Sequence, residues 1–292
     1  MTVKQHTVRA NGLDFPVLEA GEGPLVLCLH GFPDHARSWT DLLTRLAGEG
    51  YRAVAPAMRG YWTGGQAPDG AYQSWATGGD ALALIEALGA KTATLIGHDW
   101  GASAAYAAAV RAPQLIDKLV TMAVPYGPQV GAAMMLDGDQ QRRSWYMFFF
   151  QTPMATMAVA ANNFAFIDRI WAEWSPGYVL PDEDRAALKA MFAQPGVLEQ
   201  TLGYYRQLFG GAAVKPEWAE SAAKSGGPIT VPSLYLHGRN DGCMGVGLIE
   251  GMEGQFPAGL RKVVVEDAGH FLQLEQPERV AQEIVSFLKG AD

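Results

Sequence analysis

The sequence predicts an α/β fold: a mostly parallel central sheet flanked by helices, with a helical segment inserted between two of the strands. Three observations carry this. Short apolar runs recur along the chain, several are separated by stretches of helical periodicity, and the alternation breaks once, between Val124 and Ile229, before it resumes. Strand and helix patterns that alternate in this way cover both faces of a parallel sheet, so the strands read as continuous apolar runs.

In chain order, Val3 to Arg9 and Leu13 to Leu18 read as strands joined by Asn11-Gly12, a strong hairpin signal. Leu25-Val26-Leu27-Cys28-Leu29 is apolar throughout, as a strand covered on both faces requires. Further strand runs follow at Tyr51 to Ala55, Thr92 to Ile96, Leu119 to Val124, Leu234 to Leu236 and Lys262 to Val265. Helical patterns fall at Trp39 to Ala47, Trp75 to Leu88, Ala102 to Arg111 and Pro277 to Leu288. The last has proline at its first position and Val280, Ile284 and Leu288 on one stripe. Inside the break, Met, Trp, Tyr and Phe concentrate on helical patterns, as in Trp145-Tyr146-Met147-Phe148-Phe149-Phe150 and Tyr204-Tyr205. The expected organisation is a core from residues 1–125, a helical lid from 126–228 and the remainder of the core from 229–292.

Composition narrows the function. A chain of 292 residues, 49% of them hydrophobic, buries roughly 75% of the surface its unfolded form exposes. A formal net charge of −8 leaves no basic stripe for nucleic acid or an anionic membrane, so small neutral ligands fit better. No segment approaches the roughly 18 consecutive apolar residues of a membrane span. The first eleven residues mix Lys4, His6 and Arg9 with polar residues and lack the apolar stretch of a secretory signal. Cys28 and Cys243 do not amount to a disulfide framework. A reducing cytoplasm is the expected location, and neither a cofactor nor a metal is expected.

The most informative segment is Gly97-His98-Asp99-Trp100-Gly101. Its small-x-nucleophile-x-small shape is that of a nucleophile elbow, in which a strand turns sharply into a helix and small flanking residues let the turn close. The tip holds Asp99 where a serine hydrolase keeps serine. A carboxylate attacks an sp³ carbon without help from a base and forms an alkyl ester. An acyl-enzyme on it would be an anhydride, too reactive to store.

Three further motifs supply partners. His30-Gly31-Phe32-Pro33 follows the third strand, and the backbone N–H groups of Phe32 and Trp100 are candidates for an oxyanion hole. Asp241, in His237-Gly238-Arg239-Asn240-Asp241-Gly242, follows one strand, and His270, in Asp267-Ala268-Gly269-His270-Phe271, follows the next. The order nucleophile, acid, histidine is that of the α/β-hydrolase fold. Each residue also has a plain structural reading: Asp99 as a helix cap, Asp241 as a turn residue, and Asp34 or Asp267 as the carboxylate beside His270. His30, His98 and His237 are assigned to turns and strand ends.

Through these four motifs, nearly the whole chain resembles the epoxide hydrolases of the α/β-hydrolase superfamily. The resemblance implies a cis bond between Phe32 and Pro33 and two lid tyrosines that bind and protonate the epoxide oxygen. Tyr146 matches the first, and Tyr205, followed by Arg206, matches the second, with Tyr204 one residue away. Arg59-Gly60-Tyr61 looks like the loop after the family's fourth strand, although Ala57 and Met58 stand where an aspartate is often found. The implied substrate is a small, largely apolar epoxide, with Trp100, Phe32, Tyr204, Trp145 and Phe149 expected to bind it and water as the second reactant. Asp99 would be alkylated, and His270, oriented by Asp241, would activate water. Haloalkane and fluoroacetate dehalogenases share the aspartate elbow. Phe32, however, stands where many haloalkane dehalogenases place asparagine, and Tyr146 and Trp100 where fluoroacetate dehalogenases favour histidine and arginine. A binding protein without turnover would be free to lose one of these groups, and all are present.

Overall fold

The structure, a computed structural model, describes residues 2–209, 214, 216 and 219–290. The first hairpin is β1 (Lys4–Ala10) and β2 (Leu13–Ala20). Asn11 (φ 45°) and Gly12 (φ 80°) form the link, both in the left-handed conformation that a tight hairpin turn demands and that Asn-Gly tolerates best. There follow β3 (Leu25–Leu29), α1 (Thr40–Gly48), β4 (Arg52–Pro56), α2 (Ser74–Ala87), β5 (Ala93–His98), α3 (Trp100–Arg111) and β6 (Ile116–Met122). Seven helices then intervene among the described residues: α4 (Pro128–Leu136), α5 (Gly138–Arg143), α6 (Trp145–Phe149), α7 (Ala155–Trp174), α8 (Asp182–Phe192), α9 (Val197–Phe209) and α10 (Ala219–Lys224). The chain re-enters the sheet through β7 (Ser233–Gly238) and β8 (Leu260–Val265) and ends on α11 (Leu272–Glu275) and α12 (Pro277–Lys289).

The eight strands lie in the order β1-β2-β4-β3-β5-β6-β7-β8. β1 and β2 pair antiparallel, as do β2 and β4, and every other neighbouring pair is parallel. Alternation along the central strands divides the core. Val26 and Cys28 on β3, Ile96 on β5 and Leu234 and Leu236 on β7 face α1 and α12, where Leu42, Leu46, Val280 and Ile284 are buried with them. Leu27 and Leu29, Leu95 and Tyr235 face the other way, onto Leu84 and Ile85 of α2 and Ala102 and Ala105 of α3. Every residue of β3, β5 and β7 is therefore buried, which is why their sequences show no polar alternation.

The elements are those read from the sequence, with shifted ends. β6 runs over Ile116–Met122 rather than 119–124, because Ala123 turns out of the sheet with φ 66°. α3 begins at Trp100 rather than Ala102, since the elbow completes its turn at Asp99. Inside α7, Asn162, Asn163 and Phe164 are left-handed, a full break between two helical arms that periodicity alone does not mark. No described helix is long and apolar enough to cross a membrane.

Candidate active site

Asp99 sits between the end of β5 and the start of α3, buried, with φ 53° and ψ −121°. The strained backbone aims its side chain away from the helix it precedes, and no side-chain capping bond is made to that helix. The plain reading of Asp99 as a helix cap therefore fails. The turn closes only because its flanks lack side chains: a Cβ on Gly97 would strike the Gly101 carbonyl, and one on Gly101 the Leu29 carbonyl. Gly31 is equally constrained, since a Cβ there would overlap Asp99 Oδ1.

The Phe32 N–H donates to Asp99 Oδ1 at 2.7 Å, and the peptide joining Phe32 to Pro33 is cis. The loop carrying Phe32 is pinned by His30, whose Nδ1 donates to the Gly31 carbonyl at 3.0 Å while its Nε2 accepts from the Met58 N–H at 3.0 Å. Burial pushes His30 down to about 3, so it remains a neutral bridge. His98 is likewise neutral, pushed down by burial to about 4, and its Nε2 donates to the His270 carbonyl at 2.8 Å. His237 donates from Nε2 to the Met244 carbonyl at 3.0 Å. All three hold loops, as the sequence suggests.

Asp241 and His270 follow β7 and β8. Asp241 Oδ1 accepts from the N–H groups of Cys243 (2.7 Å) and Met244 (2.8 Å), and Oδ2 accepts from His270 Nδ1 at 2.9 Å. Burial alone would push the Asp241 carboxyl up; the His270 charge and these hydrogen bonds outweigh it and hold the group below its ordinary value. The two loops are tied together by the end of α7, where the Trp174 carbonyl accepts from both Gly242 N–H and His270 N–H at 3.0 Å. His270 Nδ1 bonds Asp241 rather than either competing carboxylate. Asp34 accepts from Ser38 Oγ and the His35 N–H, each at 2.8 Å, and Asp267 occupies a left-handed turn.

His270 Nε2 lies 3.6 Å from Asp99 Oδ2, beyond a hydrogen bond but well within Coulomb range. Burial favours the neutral imidazole, yet the carboxylates of Asp241 and Asp99 on its two sides override it and push His270 up to about 10. The resting site therefore holds an imidazolium between two carboxylates at neutral pH. An unfolded histidine releases its proton near 6.5, so the folded state binds it more tightly. The resulting stabilisation is fully present below about 6.5 and is lost as the pH climbs toward about 10. The Tm difference between the protein and a His270→Gln variant should accordingly shrink from pH 6 to pH 10. A difference that stays constant across that range would show that His270 carries no such charge.

In front of Asp99 opens a cavity of about 850 Å³ walled by residues of α3, α4, α6, α9 and the segment after β6. Tyr146 and Tyr205 reach it from the lid, with ring centroids 5.6 Å apart. Both are fully buried, and burial drives both phenols well above their ordinary value, so they remain protonated donors. Tyr146 Oη is 3.3 Å from Cys243 Sγ. Tyr205 Oη and Trp100 Nε1 are buried with no hydrogen-bond partner among the described residues. Of the two adjacent tyrosines only Tyr205 lines the cavity; Tyr204 Oη donates to the Arg59 carbonyl at 2.8 Å. Arg59 itself is buried in ion pairs with Asp80 and Asp69, so the loop lacking the family's aspartate is anchored from α2.

Four residues expected to bind substrate lie off the cavity wall. Tyr204 is one. The Phe32 ring packs among Phe150, Phe192 and Tyr205, because its N–H faces Asp99 and its side chain must point elsewhere. Trp145 lies under the Arg169 guanidinium, 4.4 Å from the ring centre, and Phe149 stacks on Phe166. On a helix, neighbours in sequence are turned about 100° apart, so only Tyr146 and Met147 of this aromatic run meet the cavity. The sequence reading missed Ser103, Tyr106, Val130, Met134 and Cys243, all on the wall. Asp241, Cys243 and His270 also bring a carboxylate, a thiol and an imidazole within 4.8 Å of one another, the one such trio found among the described residues. Their donor atoms are engaged with each other and with Tyr146.

A family model for the α/β hydrolase fold matches residues 24–277. Among similar proteins, an epoxide hydrolase of Caballeronia sordidicola is 29% identical, covering 99% of this chain and 95% of its own length. Human epoxide hydrolase 4 is 31% identical, covering 97% of this chain and 77% of its own. Among crystal structures, an epoxide hydrolase from Vigna radiata superposes with a TM-score of 0.81 at 31% identity, covering 99% of this chain and 98% of its own. The inhibitor complex of the Bacillus megaterium epoxide hydrolase gives 0.82 at 26% identity, covering 97% of this chain and 100% of its own. On this evidence the chain belongs to the epoxide hydrolases of the α/β-hydrolase superfamily.

Proposed function

We propose that the protein hydrolyses epoxides to vicinal diols through a covalent ester on Asp99, with residues 126–228 acting as the lid that supplies the acid. The observation that carries the reading is a carboxylate elbow and two protonated tyrosines, Tyr146 and Tyr205, on the wall of one cavity. Opening an epoxide leaves an alkoxide whose conjugate acid has a pKa near that of water, about 16. A halide needs N–H donors instead; the Trp100 indole is one, and the Phe32 side chain offers none.

In the first step an Asp99 oxygen attacks a ring carbon, the carbon–oxygen bond of the ring breaks, and its electron pair takes a proton from a lid tyrosine. Asp99 is now a neutral ester, so His270 has lost one of the two charges that held its proton. Imidazolium and phenolate exchange that proton, leaving a neutral tyrosine and a basic imidazole. In the second step His270 takes a proton from water, and the hydroxide adds to the Asp99 carbonyl carbon. The Phe32 N–H, already bonded to Oδ1, and the Trp100 N–H stabilise the resulting oxyanion. Collapse breaks the ester carbon–oxygen bond, the leaving alkoxide takes the proton of the carboxylic acid so formed, and diol and carboxylate result with His270 again an imidazolium. Esterification thus switches His270 from acid to base without moving it.

The test is a single turnover in H₂¹⁸O with excess enzyme. The first diol should carry unlabelled oxygen from Asp99, and label should appear in the protein. Label in the diol on that turnover would overturn the covalent step.

A further inference from the structure

We infer that the preferred substrate is an uncharged epoxide whose ring stands at the end of one extended apolar chain, lying along α3 and under α4. This rests on the epoxide reading above. Trp100, Ser103, Tyr106 and Ala107, spaced at i, i+3, i+6 and i+7, put one face of α3 on the cavity wall. Seven residues of helix span about 10 Å, so the wall runs that far from the elbow. Val130 and Met134 of α4 and Met147 of α6 add to an apolar lining, and Asp99 is its one charged side chain among the described residues. Among the described residues no Lys, Arg or His lines it to receive a carboxylate or phosphate on the substrate. Met135, Leu208 and Phe209 both line the cavity and expose their side chains, at 76%, 52% and 44%. That rim gives a long tail an apolar exit.

The cavity also offers a clean place to block it. Gly131 lies on the cavity wall within α4, and a Cβ there would meet nothing within 4 Å. A side chain added there starts in open space at the cavity wall, and the change removes a glycine from a helix interior.

The experiment compares kcat/KM for diol formation from 1,2-epoxybutane, 1,2-epoxyhexane, 1,2-epoxyoctane and 7,8-epoxyoctanoate. Each added methylene should raise kcat/KM about fourfold, the effect of burying one CH₂, giving on the order of 10²-fold from butane to octane. The octanoate should fall on the order of 10²-fold below epoxyoctane, because its carboxylate would be buried without a partner. In Gly131→Trp the octane-to-butane ratio should drop at least about tenfold, with the Tm unchanged or raised. Diol formation with a flat or falling chain-length series, or octanoate turned over as well as epoxyoctane, would overturn the inference and leave the epoxide reading intact. No diol from any of the four would overturn the epoxide reading and the inference with it.

Discussion

His270→Gln should convert the protein into one that captures a single substrate and stops. Attack by the Asp99 carboxylate needs no base, whereas hydrolysis of the ester needs an imidazole held by Asp241 at 2.9 Å. Loss of a general base costs about 10²–10⁴-fold in the step it serves, so the ester should accumulate within minutes of mixing with 1,2-epoxyoctane. Intact-mass measurement should show protein plus one substrate, and peptide mapping should place it on Asp99. A variant that turns over at the original rate would remove His270 from the reaction. One that is inactive and never accumulates adduct would place His270 in the first step, contrary to the charge-switch scheme.

The lid tyrosines should act on the other half of the cycle. Tyr146→Phe and Tyr205→Phe each remove a donor, and each variant should slow alkylation while leaving ester hydrolysis at its original rate. The double variant should lose about 10²–10⁴-fold or more in the alkylation rate measured by stopped flow. Each single loss should be small and the double loss larger than their product, since either phenol hydrogen-bonds the oxygen when the other is gone. Unchanged alkylation in the double variant would mean that both are packing residues, Tyr146 against Trp174 and Tyr205 against Phe32 and Trp100.

What the sequence made legible follows from local physics. Asn11-Gly12 has one economical conformation, and the structure adopts it; Leu25 to Leu29 is apolar because both faces of β3 are covered. The elbow is legible for the same reason, since Gly97 and Gly101 leave no space for another residue. Helix phase was not legible. Trp145, Tyr146 and Phe149 are all large and aromatic, and only the docking of α6 on the core decides that Tyr146 meets the cavity while Trp145 meets Arg169. Tyr204 and Tyr205 are the same case, separated by a hydrogen bond to the Arg59 carbonyl that lies 145 residues away in sequence. Ser103, Tyr106 and Met134 carry no motif, and they become a wall only because α3 and α4 border the same cavity.

Cys243 gives the cavity a second nucleophile, a thiol beside Tyr146 in a chamber proposed to hold strained electrophiles. An ionised thiol there would compete with Asp99 and form a thioether, which no water in the site would cleave. Burial is what prevents this. With desolvation first and the Asp241 and Asp99 charges adding to it, the thiol is held well above its ordinary value and keeps its proton. Burial and the negative field that sustains the His270 imidazolium therefore act together on the neighbouring sulfur, and both keep the Cys243 thiol protonated beside the cavity.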